Sequence, residues 1–404
     1  MRQIICILVV AVIFFNGVFT VGSINISVDE VNCLSSGDDA YSVIDVSVPA
    51  DAQLMTYAKS VVLMEKTTGR ILYSENEHDK LYPASVTKIM TILLVCEALR
   101  DGKIKMTDKV VCSDNAASKG GSQIWLEPGE SMTVDDLLKA TCVYSANDAC
   151  TLLGEYISGS ETEFVGLMNK RAAELGMNDT NFDNCTGLDD STETHLTSAY
   201  DIAIMAREVL KYDFVKNYTT IWMDSLRNGE TELVNTNKLV RYYKGITGLK
   251  TGTTEKAGCC VCATAERDGM ELIAVVLGSS NSNDRFKSAE NLLDWGFLNY
   301  EMYIPEIKNI PETLSVKLGS VDSFNVSSQE VSDMLINKGM SDRITYKIEI
   351  QDEIYAPLAK GDAVGKIIIL SDNKVLCEYK LTAAENVDKL TFWSAFVKLL
   401  KSFS

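Results

Sequence analysis

The spacing of hydrophobic residues changes along the chain, and the changes separate an early hairpin, a helical middle and a strand-rich end. After a polar stretch from Ser23 to about Pro49, the run Ser60-Val61-Val62-Leu63-Met64, the turn Thr67-Thr68-Gly69-Arg70 and the run Ile71-Leu72-Tyr73 fit two strands of a hairpin. Pro83-Ala84-Ser85 leads into a helical period from Val86 to Leu99, with Ile89, Leu93 and Cys96 apolar and Asp101-Gly102 as the stop. Amphipathic helical periods follow at Val134 to Val143, Asp148 to Ile157, Thr162 to Leu175 and Ser198 to Leu210. From Leu249 the period becomes two: Cys259 to Ala265, a turn at Arg267-Asp268-Gly269, then Glu271 to Leu277. A helix from Arg285 to Leu298 comes next, and beyond Pro311 short strands with turns such as Lys360-Gly361-Asp362 run to about Leu381.

Both termini carry their own patterns. Met1-Arg2-Gln3, the apolar run Ile4 to Phe15 and the small-residue pattern Thr20-Val21-Gly22 read as a secretory leader cleaved near Gly22. Its apolar run is shorter than the ~20 residues of a spanning helix. At the other end a helical wheel puts Phe392, Trp393, Phe396, Leu399, Leu400 and Phe403 on one side and Ser394, Lys398, Lys401 and Ser402 opposite. That helix suits a membrane surface, and a helix packed on the preceding domain would show the same stripe. The expected organisation is a leader at 1–22, a linker at 23–50, a main domain at 51–302, a small β domain at 303–385 and the amphipathic helix at 386–404.

Composition narrows the class. With 46% hydrophobic and 23% charged residues and only 6 Pro, the chain of 404 residues can build a real core. A net charge of −18 repels polyphosphate and excludes nucleic acid as a partner. Of 11 Cys, Cys6 falls in the leader and the rest are irregularly spaced; Cys260 and Cys262 share a strand face that Cys259 does not. No Cys, Cys33 included, has a lipid-attachment setting. With only two His, His78 and His195, and no paired Cys-x-x-Cys spacing, no metal or cofactor is expected, and the thiols read as small core residues.

Three short motifs carry chemistry in a fixed order: Ser85-Val86-Thr87-Lys88, Ser145-Ala146-Asn147 and Lys250-Thr251-Gly252. Ser-x-x-Lys alone turns up by chance roughly once or twice in a chain this long. Here it opens an amphipathic helix, Ser-x-Asn lies where two helical segments meet, and Lys-Thr-Gly begins a strand. Residues three apart on a helix share a face, so Lys88 Nζ can reach Ser85 Oγ and take its proton if the lysine is neutral. Burial, the positive helix end and a second cation at Lys250 would all lower the Lys88 pKa. Ser145 can relay a proton between the lysines and the leaving amine, Asn147 can donate to a substrate amide, and the backbone N–H groups of Ser85 and Thr253 can hold an oxyanion. Gly252 lets a substrate backbone lie close to its strand.

With these motifs, the segments Tyr82-Pro83-Ala84-Ser85-Val86-Thr87-Lys88, Gly121-Ser122-Gln123-Ile124-Trp125-Leu126, Ser145-Ala146-Asn147-Asp148-Ala149 and Leu175-Gly176-Met177 resemble the low-molecular-weight penicillin-binding proteins, the serine D-Ala-D-Ala carboxypeptidases of peptidase family S11. The resemblance covers nearly the whole chain. It implies an α/β (α+β) penicillin-recognising transpeptidase-like core, an antiparallel sheet with a helical cluster, plus a small C-terminal all-β domain. It implies an exported enzyme at the extracytoplasmic face of a bacterial membrane, acting on peptidoglycan stem peptides that end in D-Ala-D-Ala and acylated by β-lactams. It gives Ser85 the acyl group, Lys88 the role of base, Ser145 that of relay and Lys250 a part in substrate binding; Thr251, Thr253 and Arg285 would hold the terminal carboxylate.

Two rivals share the motifs and stay open at this point: a β-lactamase-like hydrolase and a non-enzymatic penicillin-binding sensor. The first needs a deacylating Glu, and Glu163 lies in a regular helical stretch without a Pro-containing loop. A Ser-His-Asp hydrolase is disfavoured because neither His has a Gly-x-Ser-x-Gly setting, and His195 reads as structural.

Overall fold

The computed structural model describes residues 54–190, 192–393 and 395–396. The leader, the linker, Cys6, Cys33 and the distal part of the C-terminal helix lie outside the described residues. The early hairpin forms as strands Ser60–Glu65 and Ile71–Glu75. These pair with Met270–Ser279, then Gly258–Arg267, then Ile246–Thr254, in one five-stranded antiparallel sheet. The first strand of the chain thus sits against the last of the sheet, a long-range pairing.

Strand periodicity sorts the sheet's side chains between two apolar layers. Val62, Met64, Cys260, Cys262, Ile273 and Val275 face a cluster built with helices Lys88–Arg100, Val134–Val143, Asn147–Ser158, Glu161–Glu174 and Ala199–Val209. Val61, Leu63, Val261, Ala263, Leu272 and Ala274 face the other way, onto Phe286, Ala289, Leu292 and Leu293 of helix Ser282–Asn299. Each wholly buried Leu, Ile or Val contributes about 1.5–3 kcal/mol. Because both faces are covered, the strands read as continuous apolar runs. Polar caps start the helices: Thr133, Ser160 and Ser198 each accept a backbone N–H three residues on.

The nine described cysteines, Cys260 and Cys262 among them, are all buried, and no disulfide joins any two of them. Burial pushes the Cys260 thiol up to about 11 and Cys142 to about 12, and pushes Cys96 and Cys262 higher still.

Beyond Tyr300–Tyr303, which pairs with Met334–Asn337, a second antiparallel sheet runs in the order Thr313–Ser315, Ser323–Ser328, Lys374–Ala383, Ala363–Ser371, Ile344–Ile350. Its core is Phe324, Val364, Ile367, Ile369, Tyr379 and Leu381. After Leu390, which donates its N–H to Leu318 O, the helical residues Phe392 and Trp393 are 79% and 72% exposed. No helix among the described residues is long and apolar enough to cross a membrane.

Candidate active site

Ser85 sits in a single 3-10 turn, Ala84–Thr87, that runs directly into helix Lys88–Arg100. Lys88 Nζ donates to Ser85 Oγ at 2.8 Å and to Thr186 O at 2.8 Å. The lysine is wholly buried, and burial lowers its pKa to about 8; no second cation contributes to that shift. The expected influence of Lys250 runs the other way. Lys250 is 1% exposed and held well below its ordinary value, first by burial and then by the charge of Lys88.

The Lys-Thr-Gly segment lies in the middle of strand Ile246–Thr254 rather than at its start, because Ile246 to Leu249 already pair with the next strand. A Cβ on Gly252 would stand 2.8 Å from Pro83 O and 2.8 Å from Ser85 N. The close approach that requires glycine is therefore made by the chain's own turn at Pro83–Ser85, in addition to any substrate backbone. Lys250 Nζ donates to Thr251 O at 3.1 Å, and Thr251 Oγ1 donates to Thr236 Oγ1 at 2.7 Å. Thr253 is exposed, and its hydroxyl donates to Gly252 O at 2.7 Å.

Ser145 stands alone between helices Val134–Val143 and Asn147–Ser158, with a left-handed φ of 66°. Its hydroxyl is buried and has no hydrogen-bond partner among the described residues. Asn147 Nδ2 donates to Gly120 O at 2.6 Å and its N–H to Ser122 O at 2.7 Å, while Oδ1 is buried and unpartnered. The amide oxygen is therefore open as an acceptor, and the second hydrogen of Nδ2 leaves the expected donor role possible. Arg285 lies behind the motif strand. Its Nη1 donates to Gly252 O at 2.9 Å, Thr253 Oγ1 at 2.9 Å and Cys260 O at 3.3 Å, so it braces the strand and meets the site through Thr253.

Several supporting residues escaped the sequence reading. Asp148, next to the Ser-x-Asn motif, is wholly buried and accepts the N–H groups of Ile124, Leu126 and Ala149 at 2.9–3.2 Å. Thr254 donates to Asp189 at 2.5 Å, and Lys256 pairs with Glu193 at 2.8 Å, tying the end of the motif strand to the segment around 189–193. Only the adjacency of Asp148 to the motif was a signal; the others come together through tertiary structure. Glu163 is exposed in the first turn of helix Glu161–Glu174.

A serine in hydrogen-bond contact with a buried lysine, beside an antiparallel sheet backed by helices, is the arrangement of the penicillin-binding class of serine enzymes. The D-alanyl-D-alanine carboxypeptidase family model matches residues 47–281, and that of the penicillin-binding protein 5 C-terminal domain matches residues 306–389. The chain is 44% identical to the D-alanyl-D-alanine carboxypeptidase DacF of Bacillus subtilis over 84% of this chain and 88% of that protein. It is 34% identical to DacC of Escherichia coli over 83% and 86%. Penicillin-binding protein 5 of Haemophilus influenzae superposes with a TM-score of 0.70 at 31% identity, covering 83% of this chain and 98% of that one. Penicillin-binding protein D2 of Listeria monocytogenes, solved in an ampicillin-bound form, gives 0.56 at 30% identity over 60% and 99%. The chain belongs to the D-alanyl-D-alanine carboxypeptidase family and is a serine-type carboxypeptidase; its fold is the mixed core and C-terminal all-β domain of that family.

Proposed function

We propose that Ser85 is the nucleophile of a carboxypeptidase that removes the terminal D-alanine from peptidoglycan stem pentapeptides. The observation that carries this is the 2.8 Å contact between Ser85 Oγ and Lys88 Nζ, with Lys88 wholly buried and its pKa near 8. Neutral Lys88 takes the Ser85 proton as Oγ bonds to the penultimate carbonyl carbon. The backbone N–H groups of Ser85 and Thr253 hold the oxyanion. Collapse breaks the peptide bond, and the proton passes through Ser145, whose hydroxyl has no competing partner, to the departing amine. Water then attacks the ester, gives its proton back to the same network and frees Ser85. Asn147 meets the substrate amide, its second Nδ2 hydrogen donating and its unpartnered Oδ1 open to an N–H; Lys250 and the hydroxyls of Thr251 and Thr253, with Arg285 behind them, face the terminal carboxylate. A penicillin acylates the same serine, but its leaving group stays tethered, and Glu163, the candidate for a β-lactamase-type base, is exposed in the first turn of a regular helix. The adduct therefore persists and β-lactams inhibit.

Labelled penicillin, peptide mapping and D-Ala release from a Lys-D-Ala-D-Ala peptide test this. Ser85→Ala is expected to lose both labelling and release; a label on another serine, or rapid penicillin turnover, overturns it.

The domain plan 51–302 and 303–385 belongs to the same reading, as does an extracytoplasmic position with the C-terminal helix on the membrane surface. Exposed Phe392, Trp393 and Phe396 support that placement. Deleting residues 390–404 is expected to release the protein from membranes with its peptidase activity intact; retention on the membrane would refute the anchor.

A further inference from the structure

The turn that presents Ser85 is strained at Ala84, whose φ is +48°. A chain of hydrogen bonds leads from that residue to a buried histidine. Thr87 Oγ1 donates to Ala84 O at 2.8 Å, and the same oxygen lies 2.8 Å from His195 Nε2. His195 Nδ1 lies 3.0 Å from the N–H of Asp183. A backbone N–H only donates, so Nδ1 is the bare nitrogen and Nε2 carries the proton. The single hydroxyl proton of Thr87 goes to Ala84 O. Every direction is then fixed: His195 Nε2–H to Thr87 Oγ1, Thr87 Oγ1–H to Ala84 O.

The surroundings keep this arrangement in one state. His195 is wholly buried, and burial holds its pKa at about 4, with the carboxylates of Asp183 and Asp189 opposing and Lys88 reinforcing. The Asp183 carboxylate is itself tied to Asn181 Nδ2 at 2.9 Å, Thr194 Oγ1 at 2.6 Å and the Thr192 hydroxyl. The segment that begins at Asp183 also supplies the carbonyl of Thr186 to Lys88 Nζ. It then packs Gly187 so tightly on the nucleophile turn that a Cβ there would come within 1.8 Å of Ala84 O. One stretch of chain therefore touches both the serine's turn and its lysine.

We infer that His195, fixed as the Nε2–H tautomer, is a positioning residue for acylation: through Thr87 it pins the Ala84 carbonyl and so sets where Ser85 Oγ stands relative to Lys88 Nζ. It acts at a distance from substrate, and the inference rests on Ser85 as the acylated residue. The chemical requirement is an acceptor for Asp183 N–H and a donor for Thr87 on one side chain. A glutamine amide offers both; leucine offers neither.

The test measures the rate of acylation by fluorescent penicillin, with melting temperature alongside, for wild type, His195→Gln, His195→Leu, Thr87→Val and the double variant His195→Leu/Thr87→Val. Wild type is peptide-mapped first: a label away from Ser85 would overturn the functional reading instead of this one. His195→Gln is expected to acylate within about threefold of wild type, while His195→Leu and Thr87→Val each slow by about ten- to a hundredfold, the scale of a misplaced reacting group. The double variant should be no slower than the slower single one, because both cut the same chain. Wild-type rates in His195→Leu, a Gln variant as slow as Leu, or losses that multiply in the double variant would each overturn the inference. Should His195→Leu not fold, the rates of Thr87→Val and His195→Gln decide by the same criteria.

Discussion

The core sheet and the C-terminal sheet are both five-stranded and antiparallel, yet they are buried in different ways. Strands Gly258–Arg267 and Met270–Ser279 are buried on nearly every residue, whereas Lys374–Ala383 alternates and Ile344–Ile350 is largely open. The contrast extends to polar groups. The core encloses Lys88, Asp148, His195, Lys250 and Arg285; among the described residues no Lys, Arg, His, Asp or Glu beyond Ser288 is buried. Enclosing a lysine without a carboxylate partner costs stability and leaves its pKa depressed. The core thus carries a desolvation cost, whereas the charged pairs of the second sheet, such as Lys366 with Glu378 and Lys347 with Glu349, stay on its surface.

That contrast can be broken most severely at Lys88. Lys88→Met should slow acylation by about a hundred- to ten-thousandfold, the range of general-base catalysis. The melting temperature should hold or rise, since a buried cation is exchanged for an apolar chain of similar size. A large fall in melting temperature would mean that the lysine is structural. If Lys88 is the base, as proposed, its neutral form is the minority below its pKa. Acylation should therefore climb about tenfold per pH unit up to about 8 and then level. The linkage sign agrees: between about 8 and 10.5 the folded chain holds fewer protons than the unfolded one, so stability rises with pH across that window.

A smaller break is Gly252→Ala. The added methyl meets backbone at Pro83 O and Ser85 N, so the nucleophile turn must move, and acylation should fall by about ten- to a hundredfold. An unchanged rate would show that the turn yields freely. The smallest effect on chemistry is expected from Ile367→Ala in the second sheet. It should cost about 2–5 kcal/mol of that sheet's stability, read as a lower-melting step, with acylation within about twofold of wild type. A matching loss of activity would show that the sheets are coupled.

Much of this was legible in sequence because it rests on local rules. Val134–Val143 follows from its helical period, the early hairpin from two β runs and a turn, and the serine–lysine contact from a three-residue spacing. What escaped depends on residues distant in sequence. The start of Lys250's strand is set by pairing with Gly258–Arg267, not by its own composition. Asn147 is turned by Gly120, Arg285 is drawn behind Thr253, and Thr236 meets Thr251. The Lys88 pKa was expected from burial and neighbouring charge together. Burial supplies the shift, and burial is a tertiary property that spacing does not encode.

The nine enclosed thiols set a clock on biogenesis. In the folded protein they are buried, and those at Cys96, Cys142, Cys260 and Cys262 are kept protonated, so an oxidant meets little thiolate at these four. The unfolded chain has no such shelter, and its thiols ionise near their ordinary values. In any oxidising compartment, then, burial must outrun oxidation. A chain that crosslinks first has joined thiols that no disulfide joins in the native fold, and the long-range closure of Ser60–Glu65 onto Met270–Ser279 is among the steps that decide the race.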